Sequence, residues 1–287
     1  MKDKIICAAS AAFTLLCCVL ILFPLFMMIS ISLQTQAEVY ARTLVYIPEL
    51  PQFSNYAAAM RNGDWARYFF NSFFVTAVVV IISLLINSMS GYVFARIPFK
   101  GSGALFILVL VGMMIPPQVT MIPVYTLLRG IPFAGGNDAF GRGGTGLINT
   151  YGGLILPFIA GSFGVFLCRQ YYIVFPGELD DAARIDGCGR FSAFVRIYLP
   201  LSGPLIASLG VLKFTGTWNE FTWPFIITGT DAMKTVQVAL TRFRDESEII
   251  WNQLMAATFL VSLPVYVIFA FLQKHFVAGI LAGSIKQ

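Results

Sequence analysis

Six stretches of this chain are each about as long as a helix must be to cross a bilayer, and nothing else in the sequence restricts the fold as tightly. A spanning helix takes roughly 20 mainly apolar residues to cover about 30 Å of hydrocarbon. The stretches run approximately over residues 5–33, 69–95, 104–128, 151–170, 204–228 and 254–272. Composition points the same way. Of the 287 residues, 57% are apolar and 11% charged, against roughly 25% charged in a soluble domain, so much of the surface must face lipid. The expected fold is all-α and integral to the membrane. Lys2 and Lys4 precede the first stretch as they would in a signal peptide. A signal peptide's apolar core is only about 7–15 residues long, and no convincing small-residue cleavage site follows here, so a retained helix is expected.

Six crossings place both termini on one side, and basic residues indicate which. Lys2, Lys4, Arg96, Lys100, Arg169, Arg184, Arg190, Arg196, Lys274 and Lys286 fall on the side of the termini. Arg42, Arg61, Arg67, Arg129, Arg142, Lys234, Arg242 and Arg244 fall on the other. The bias is small overall and firmest beside the helices, as at Arg96 and Lys100, and it makes the termini cytoplasmic. Residues 1–68 then hold the first helix and an extracytoplasmic segment. Residues 69–273 form the core, helices two to six, with a cytoplasmic loop at about 172–203, and residues 274–287 form a cytoplasmic tail. The cysteines Cys7, Cys17, Cys18, Cys168 and Cys188 all avoid the extracytoplasmic loops, which fits free thiols. They have no zinc-ligand company, and the one histidine is His275. The basic residues form no block of the kind that binds nucleic acid.

The loop after the fourth stretch carries the most local information. Glu178, Asp180 and Asp181 crowd the first turn of a short helix, where acidic groups offset the positive end of the dipole. Ala182 and Ala183 are strong helix formers, and Gly187 stands where a helix end needs a left-handed residue. A helix over about 178–186 is expected, with alanines that let another protein approach closely. Phe191, Phe194, Val195 and Tyr198 follow at i, i+3, i+4 and i+7, one face of a second short helix that Pro200 should end. On these residues alone the loop could equally be a helical hairpin lying on the membrane surface.

The run Asp181-Ala182-Ala183, Asp186-Gly187, Phe194, Ile197, Leu199-Pro200 and Pro204 resembles the EAA motif of binding-protein-dependent ABC importers. That motif reads approximately E-A-A-x-x-x-D-G-A, followed by Phe, Ile and Leu-Pro. Asp181 stands for the usual glutamate and Cys188 for the usual alanine. Phe23-Pro24, Asn71-Ser72, Ile122-Pro123, Trp218-Asn219-Glu220, Trp223-Pro224, Met255-Ala256-Ala257, Leu263-Pro264 and the tail 279–286 are similar to the carbohydrate-uptake branch, which includes the maltose importers. The resemblance implies a six-helix type I ABC importer transmembrane domain in a bacterial inner membrane. Its partners would be a second permease subunit, two ATP-binding subunits and an extracytoplasmic solute-binding protein. Glu178, Asp180, Asp181, Ala182, Ala183, Asp186 and Gly187 would couple to the ATPase. The implied cargo is a sugar or oligosaccharide, with glycerol phosphate or a polyol as alternatives.

Gly141-Arg142-Gly143-Gly144-Thr145-Gly146 fits G-x-G-x-x-G, but a dinucleotide site needs a strand before it and a helix after it, and here it lies between membrane helices. No Walker sequence G-x-x-x-x-G-K-[ST] occurs. ATP and Mg would therefore be bound by partner subunits, and no cofactor is expected in this chain. Lys213 and Glu220, seven residues apart, lie near one face of the fifth helix, where a charge at the bilayer centre costs about 2.5–3.5 kcal/mol on insertion scales. Asn219 and Glu220 either line a solute path or make structural hydrogen bonds. Trp218 and Trp223 either stack on a sugar or sit in the outer aromatic belt. Pro116, Pro117 and Pro123 interrupt the third helix, with Gln118 and Thr120 as candidates to satisfy the freed carbonyls; the helix either borders a solute path, with Gln118 and Lys213 then among its candidate residues, or is kinked for packing. A secondary transporter or channel would show inverted repeats and paired broken helices, and no repeat is found in the sequence. A membrane enzyme would need a clustered nucleophile, base or metal set, which is likewise not found.

Overall fold

The computed structural model of the protein describes residues 2–244 and 248–284, with side chains of 2–5, 8 and 272–284 outside the description. The expectations for Lys2, Lys4, Lys274, His275, Lys286 and the 279–286 side chains therefore lie outside the described residues. Within them every extended element is helical, beside one isolated bridge between Arg244 and Ile249. The main helices are α1 (Lys2–Ser32), α2 (Trp65–Arg96), α3 (Ser102–Met114), α4 (Pro117–Arg129), α5 (Tyr151–Ile155, continued by a 3-10 turn Leu156–Phe158), α6 (Ser162–Ile173), α7 (Glu178–Ile185), α8 (Gly203–Trp218), α9 (Thr222–Ile227) and α10 (Trp251–Ser284). The backbone of α10 runs on through much of the expected tail.

Ala9–Ser32, Trp65–Arg96 and Trp251–Phe271 are each long and apolar enough to cross a membrane unbroken. Three bent pairs bring the total to six if each is one span. They are α3 with α4 (105°), the α5 segment with α6 (42°), and Arg190–Leu201 with α8 (80°). The proline break in the third span was expected. The interruptions of the fourth and fifth were not. The fifth stretch is read above as one helix over 204–228, but α8 stops at Trp218 and α9 starts at Thr222. Sixteen residues of α8 extend about 24 Å at 1.5 Å per residue, short of the hydrocarbon thickness.

The chain divides into two compact units, Met1–Ala66 with Ala239–Pro264 and Arg67–Val238 with Val265–Gln287. The first is held by buried amides. Asn55 Nδ2 donates to the carbonyls of Ser32 and Gln34 at 2.9 and 2.8 Å, and Asn252 Nδ2 reaches the Gln34 carbonyl and Asn55 Oδ1. A capping box of Thr35 and Glu38 follows α1. The backbone N–H groups of Thr35 and then Glu49, donating to Glu38, hold its carboxyl below the usual carboxylate range.

In the second unit α2 is the central support. Its first turns secure the segment at 231–236. Asn71 Nδ2 donates to the carbonyls of Ala232 and Lys234, and Ser72 Oγ accepts the Val236 N–H at 2.9 Å. Its last turns join a cluster of Tyr92, Cys168, Tyr172, Phe194, Tyr198, Leu205 and Leu209. Between these ends α2 meets α6 with almost no space. A Cβ on Gly91 would lie 2.4 Å from Cys168 Cβ and 2.8 Å from the Arg169 backbone N, and a Cβ on Gly164 would lie 2.4 Å from Asn87 Nδ2. Small residues permit such approaches between membrane helices.

Gly91→Leu should therefore lower the thermal midpoint of the purified protein, since overpacking a close contact costs about 1–3 kcal/mol. Gly103→Ala, where a Cβ meets nothing within 4 Å, should leave it unchanged. Thermal unfolding of both variants in detergent checks this.

Candidate functional site

Two places gather the residues singled out in the sequence: the loop around α7, and a cavity where the broken helices meet. α7 spans Glu178–Ile185, close to the expected 178–186, with three acids in its first turn. It ends in a Schellman arrangement. Gly187 adopts φ +73°, its N–H donates to the Arg184 carbonyl at 3.1 Å, and Cys188 N–H donates to the Ala183 carbonyl at 2.8 Å.

The two faces of α7 differ. Glu178, Asp181, Ala182, Ile185, Asp186 and Gly187 are exposed, and Ile185 retains 86% of its surface. Ala183 is buried, so only one alanine of the pair is open to an approaching protein. Asp180 also turns inward. One carboxylate oxygen accepts from Tyr198 OH at 2.8 Å, and the other lies 3.7 Å from Arg96 Nη1. Arg96, at the end of α2, also donates to the carbonyls of Phe175 and Pro176 and sits 5.5 Å from the Tyr198 ring centre. One guanidinium thus fastens α7 to the long central helix. The pair Asp181–Arg184 at 3.8 Å is exposed on both sides and adds little.

The second half of the loop departs from the expected helix. Arg190–Ala193 is α-helical, Phe194–Tyr198 is a π turn, and Leu199–Leu201 resumes the α form, so Pro200 does not end the segment. Proline lacks the N–H for an i−4 bond and its ring crowds the previous turn, and a widened turn relieves both. The π turn also breaks the expected face. Phe194 and Tyr198 are buried, whereas Phe191 and Val195 are exposed.

The cavity, about 150 Å³, is lined by Pro117, Thr120, Met121, Val124, Pro157, Phe158, Glu220 and Trp223. These residues come from the three interrupted spans. Pro117 and Thr120 open α4, Pro157 and Phe158 close the α5 segment, and Glu220 and Trp223 flank the gap between α8 and α9. The interruptions at 159–161 and 219–221 are stitched by side chains, whereas Thr120 Oγ1 donates to the Pro117 carbonyl at 2.9 Å within the first turn of α4 and does not reach across the break from α3. Lys213 Nζ donates to the Phe158 carbonyl at 3.1 Å, and Asn87 Oδ1 accepts the Gly161 N–H. Glu220 Oε1 accepts the Trp223 N–H at 3.0 Å, capping α9.

The sequence candidates thus part company. Glu220 borders the cavity and caps a half-helix at once. Lys213 serves a break and is not among the lining residues. Asn219 is exposed and accepts from Gln237. Gln118 is exposed and does not line the cavity, while its neighbour Thr120 does. Both tryptophans are core residues. Trp218 packs on Phe69, Phe73 and Phe214, and Trp223 Nε1 donates to the Gly153 carbonyl at 3.0 Å. Phe158, Arg96 and Tyr198 were missed as partners in these arrangements. The polar positions Ser72, Thr76, Ser83 and Asn87, all buried, follow one face of α2 and were the available signal for what that helix supports.

Three unbroken apolar helices, three bent pairs, a structured loop and a cavity at broken helices suit a membrane permease. The chain belongs to the binding-protein-dependent transport system inner membrane components, whose family model matches residues 87–281. It is 33% identical over 97% of its length to the arabinooligosaccharides transport system permease protein AraQ of Bacillus subtilis (strain 168), covering 95% of that protein. It is 30% identical to the sn-glycerol-3-phosphate transport system permease protein UgpE of Agrobacterium fabrum, with 92% of each chain covered. Its fold matches a chain of a bacterial ABC transporter involved in the import of the acidic polysaccharide alginate, at TM-score 0.80, 20% identity, 96% of this chain and 98% of that one. The protein is accordingly a transport subunit, the inner-membrane component of a binding-protein-dependent transport system.

Arg96→Leu should insert normally but loosen α7, since hydrogen bonds to a charged group contribute about 1.5–3 kcal/mol. Limited proteolysis should then cut within 176–190 at least several-fold faster than in the parent. Asp180→Asn, which can still accept from Tyr198, should show a smaller effect.

Proposed function

We propose that this permease forms half of the translocation pathway of an ATP-driven importer for a sugar or oligosaccharide. A second permease subunit completes the pathway, two ATP-binding subunits drive it from the cytoplasm, and an extracytoplasmic binding protein delivers the solute. The termini and the loop of α7 are cytoplasmic. The exposed face of α7 meets the ATP-binding subunit, and the clamp of Arg96, Asp180 and Tyr198 carries its movement into α2. The cavity bordered by Glu220 lies on the solute path.

The observation that carries the cargo reading is the cavity's chemistry, taken with the likeness to an arabinooligosaccharide permease. Its walls are apolar and aromatic apart from the Thr120 hydroxyl and the Glu220 carboxylate. A carboxylate accepts hydrogen bonds from hydroxyl groups and repels anions. Glycerol phosphate is the second reading, favoured by the likeness to UgpE. A phosphate would call for a facing cation, and the Lys213 ammonium is engaged by the Phe158 carbonyl. Calorimetric titration of the cognate binding protein with arabinooligosaccharides and with glycerol 3-phosphate decides between them. Binding of the phosphate alone refutes the sugar reading.

Single cysteines at Asp181, Ala182 and Ile185 should crosslink to the co-expressed ATP-binding subunit, and cysteines at Asp180 and Ala183 should not. Equal labelling of both sets, or crosslinks only outside 178–191, counts against the docking face and its orientation.

Glu220→Leu should reduce uptake at least tenfold with expression retained, and Glu220→Gln, which still accepts from the Trp223 N–H, should keep most of it. Loss of expression in both would make Glu220 purely structural, and unchanged uptake in Glu220→Leu would remove it from the path.

A further inference from the structure

Glu220 borders a second, much smaller space, distinct from the cavity on the solute path. Its polar lining consists of Ser72 and Thr76 of α2, Thr217 at the end of α8, Thr235 and Glu220 itself. Phe158 lines both spaces and forms part of the wall between them. The chamber measures about 10 Å³, close to the smallest volume, about 10–15 Å³ on this measure, that holds one water. Thr235 retains 6% of its surface, and its Oγ1 is buried without a hydrogen-bond partner in the protein. Buried hydroxyls are nearly always satisfied, so an orphan at the edge of a water-sized polar space requires an occupant. A dry cavity of this size would be expected to have wholly apolar walls, and here five oxygen-bearing side chains share the lining with Val75, Leu154, Phe158 and Pro224.

We propose that this chamber binds a single water molecule, held by Thr235 Oγ1, by Glu220 and by neighbouring hydroxyls. Ser72 Oγ already accepts the Val236 N–H, and Glu220 Oε1 already accepts the Trp223 N–H. The water therefore joins three separate pieces, the start of α2, the gap between α8 and α9, and the segment at 235. It fixes Glu220, which lines the larger cavity as well. Thr235 is in this sense a positioning residue. The value of that arrangement for transport rests on the proposed solute path, but the water itself does not.

The sign of one substitution tests the occupant. Thr235→Val keeps the shape and deletes the hydroxyl. If water is bound, the variant leaves it a partner short, and the thermal midpoint of the full chain in nanodiscs should fall by about 2–4 °C, the shift expected for loss of one hydrogen bond in a domain of this size. Thr235→Ser, which keeps the hydroxyl, should recover more than half of the loss despite its missing methyl. If the chamber is dry, Thr235→Val removes an unsatisfied buried group, and an unchanged or higher midpoint overturns the proposal. Unfolding in sodium chloride and in choline chloride of equal concentration should coincide. A midpoint that rises only with sodium would make the occupant a cation and would also overturn it. A density map resolving ordered water should show one peak within hydrogen-bond distance of Thr235 Oγ1, and an empty chamber refutes it. None of these measurements depends on the solute, so their failure is distinguishable from failure of the transport reading.

Discussion

A polypeptide in hydrocarbon has no water to complete its hydrogen bonds, so a gap in a spanning helix survives only where other groups take over the released N–H and C=O groups. Among the described residues two such gaps, at 159–161 and 219–221, are served from nearby. Lys213 takes the Phe158 carbonyl, Asn87 the Gly161 N–H and Glu220 the Trp223 N–H. These stitches explain why ionisable and amide groups occur where apolar side chains would be cheaper to bury. They also explain the cavity. Helices that stop short leave space between their ends, and the side chains that finish the backbone become its walls.

The loop around α7 solves a different problem. A short helix of eight residues is marginal alone in water, yet it must present a defined surface. Its stability comes from the side turned toward the protein, where Asp180 bonds to Tyr198 and Arg96 and Ala183 is buried. The guanidinium of Arg96 is shared among a carboxylate, two carbonyls and a tyrosine ring. Such a node ties α7 to the last turn of α2 from several directions.

Much of this was legible in the sequence. The spans follow from apolar length, the break in the third from adjacent prolines, and the limits of α7 from its acids, alanines and Gly187. What was not legible depends on contacts distant in sequence. That Asp180 faces inward while Asp181 faces out is decided by Arg96, more than eighty residues earlier. The break at 219–221 in the fifth span holds no proline, and Asn219 with Glu220 marks it only weakly. The burial of Trp218 depends on Phe69, Phe73 and Phe214, which no local pattern pairs with it. The π turn could have been suspected from Pro200, which a regular helix through Phe194–Tyr198 would not accommodate.

The two-sidedness of α7 has a consequence for how such a subunit can diverge. Asp180, Ala183 and Gly187 answer to this chain's own interior and turn geometry, so any drift there must be matched within the same gene. Asp181, Ala182 and Ile185 are exposed and, on the proposed docking to an ATP-binding subunit, answer to a surface encoded elsewhere. On that proposal eight residues are divided between two histories, one private and one shared with a partner, and exchange of the outer positions alone between related permeases becomes a route to retargeting without disturbing the fold.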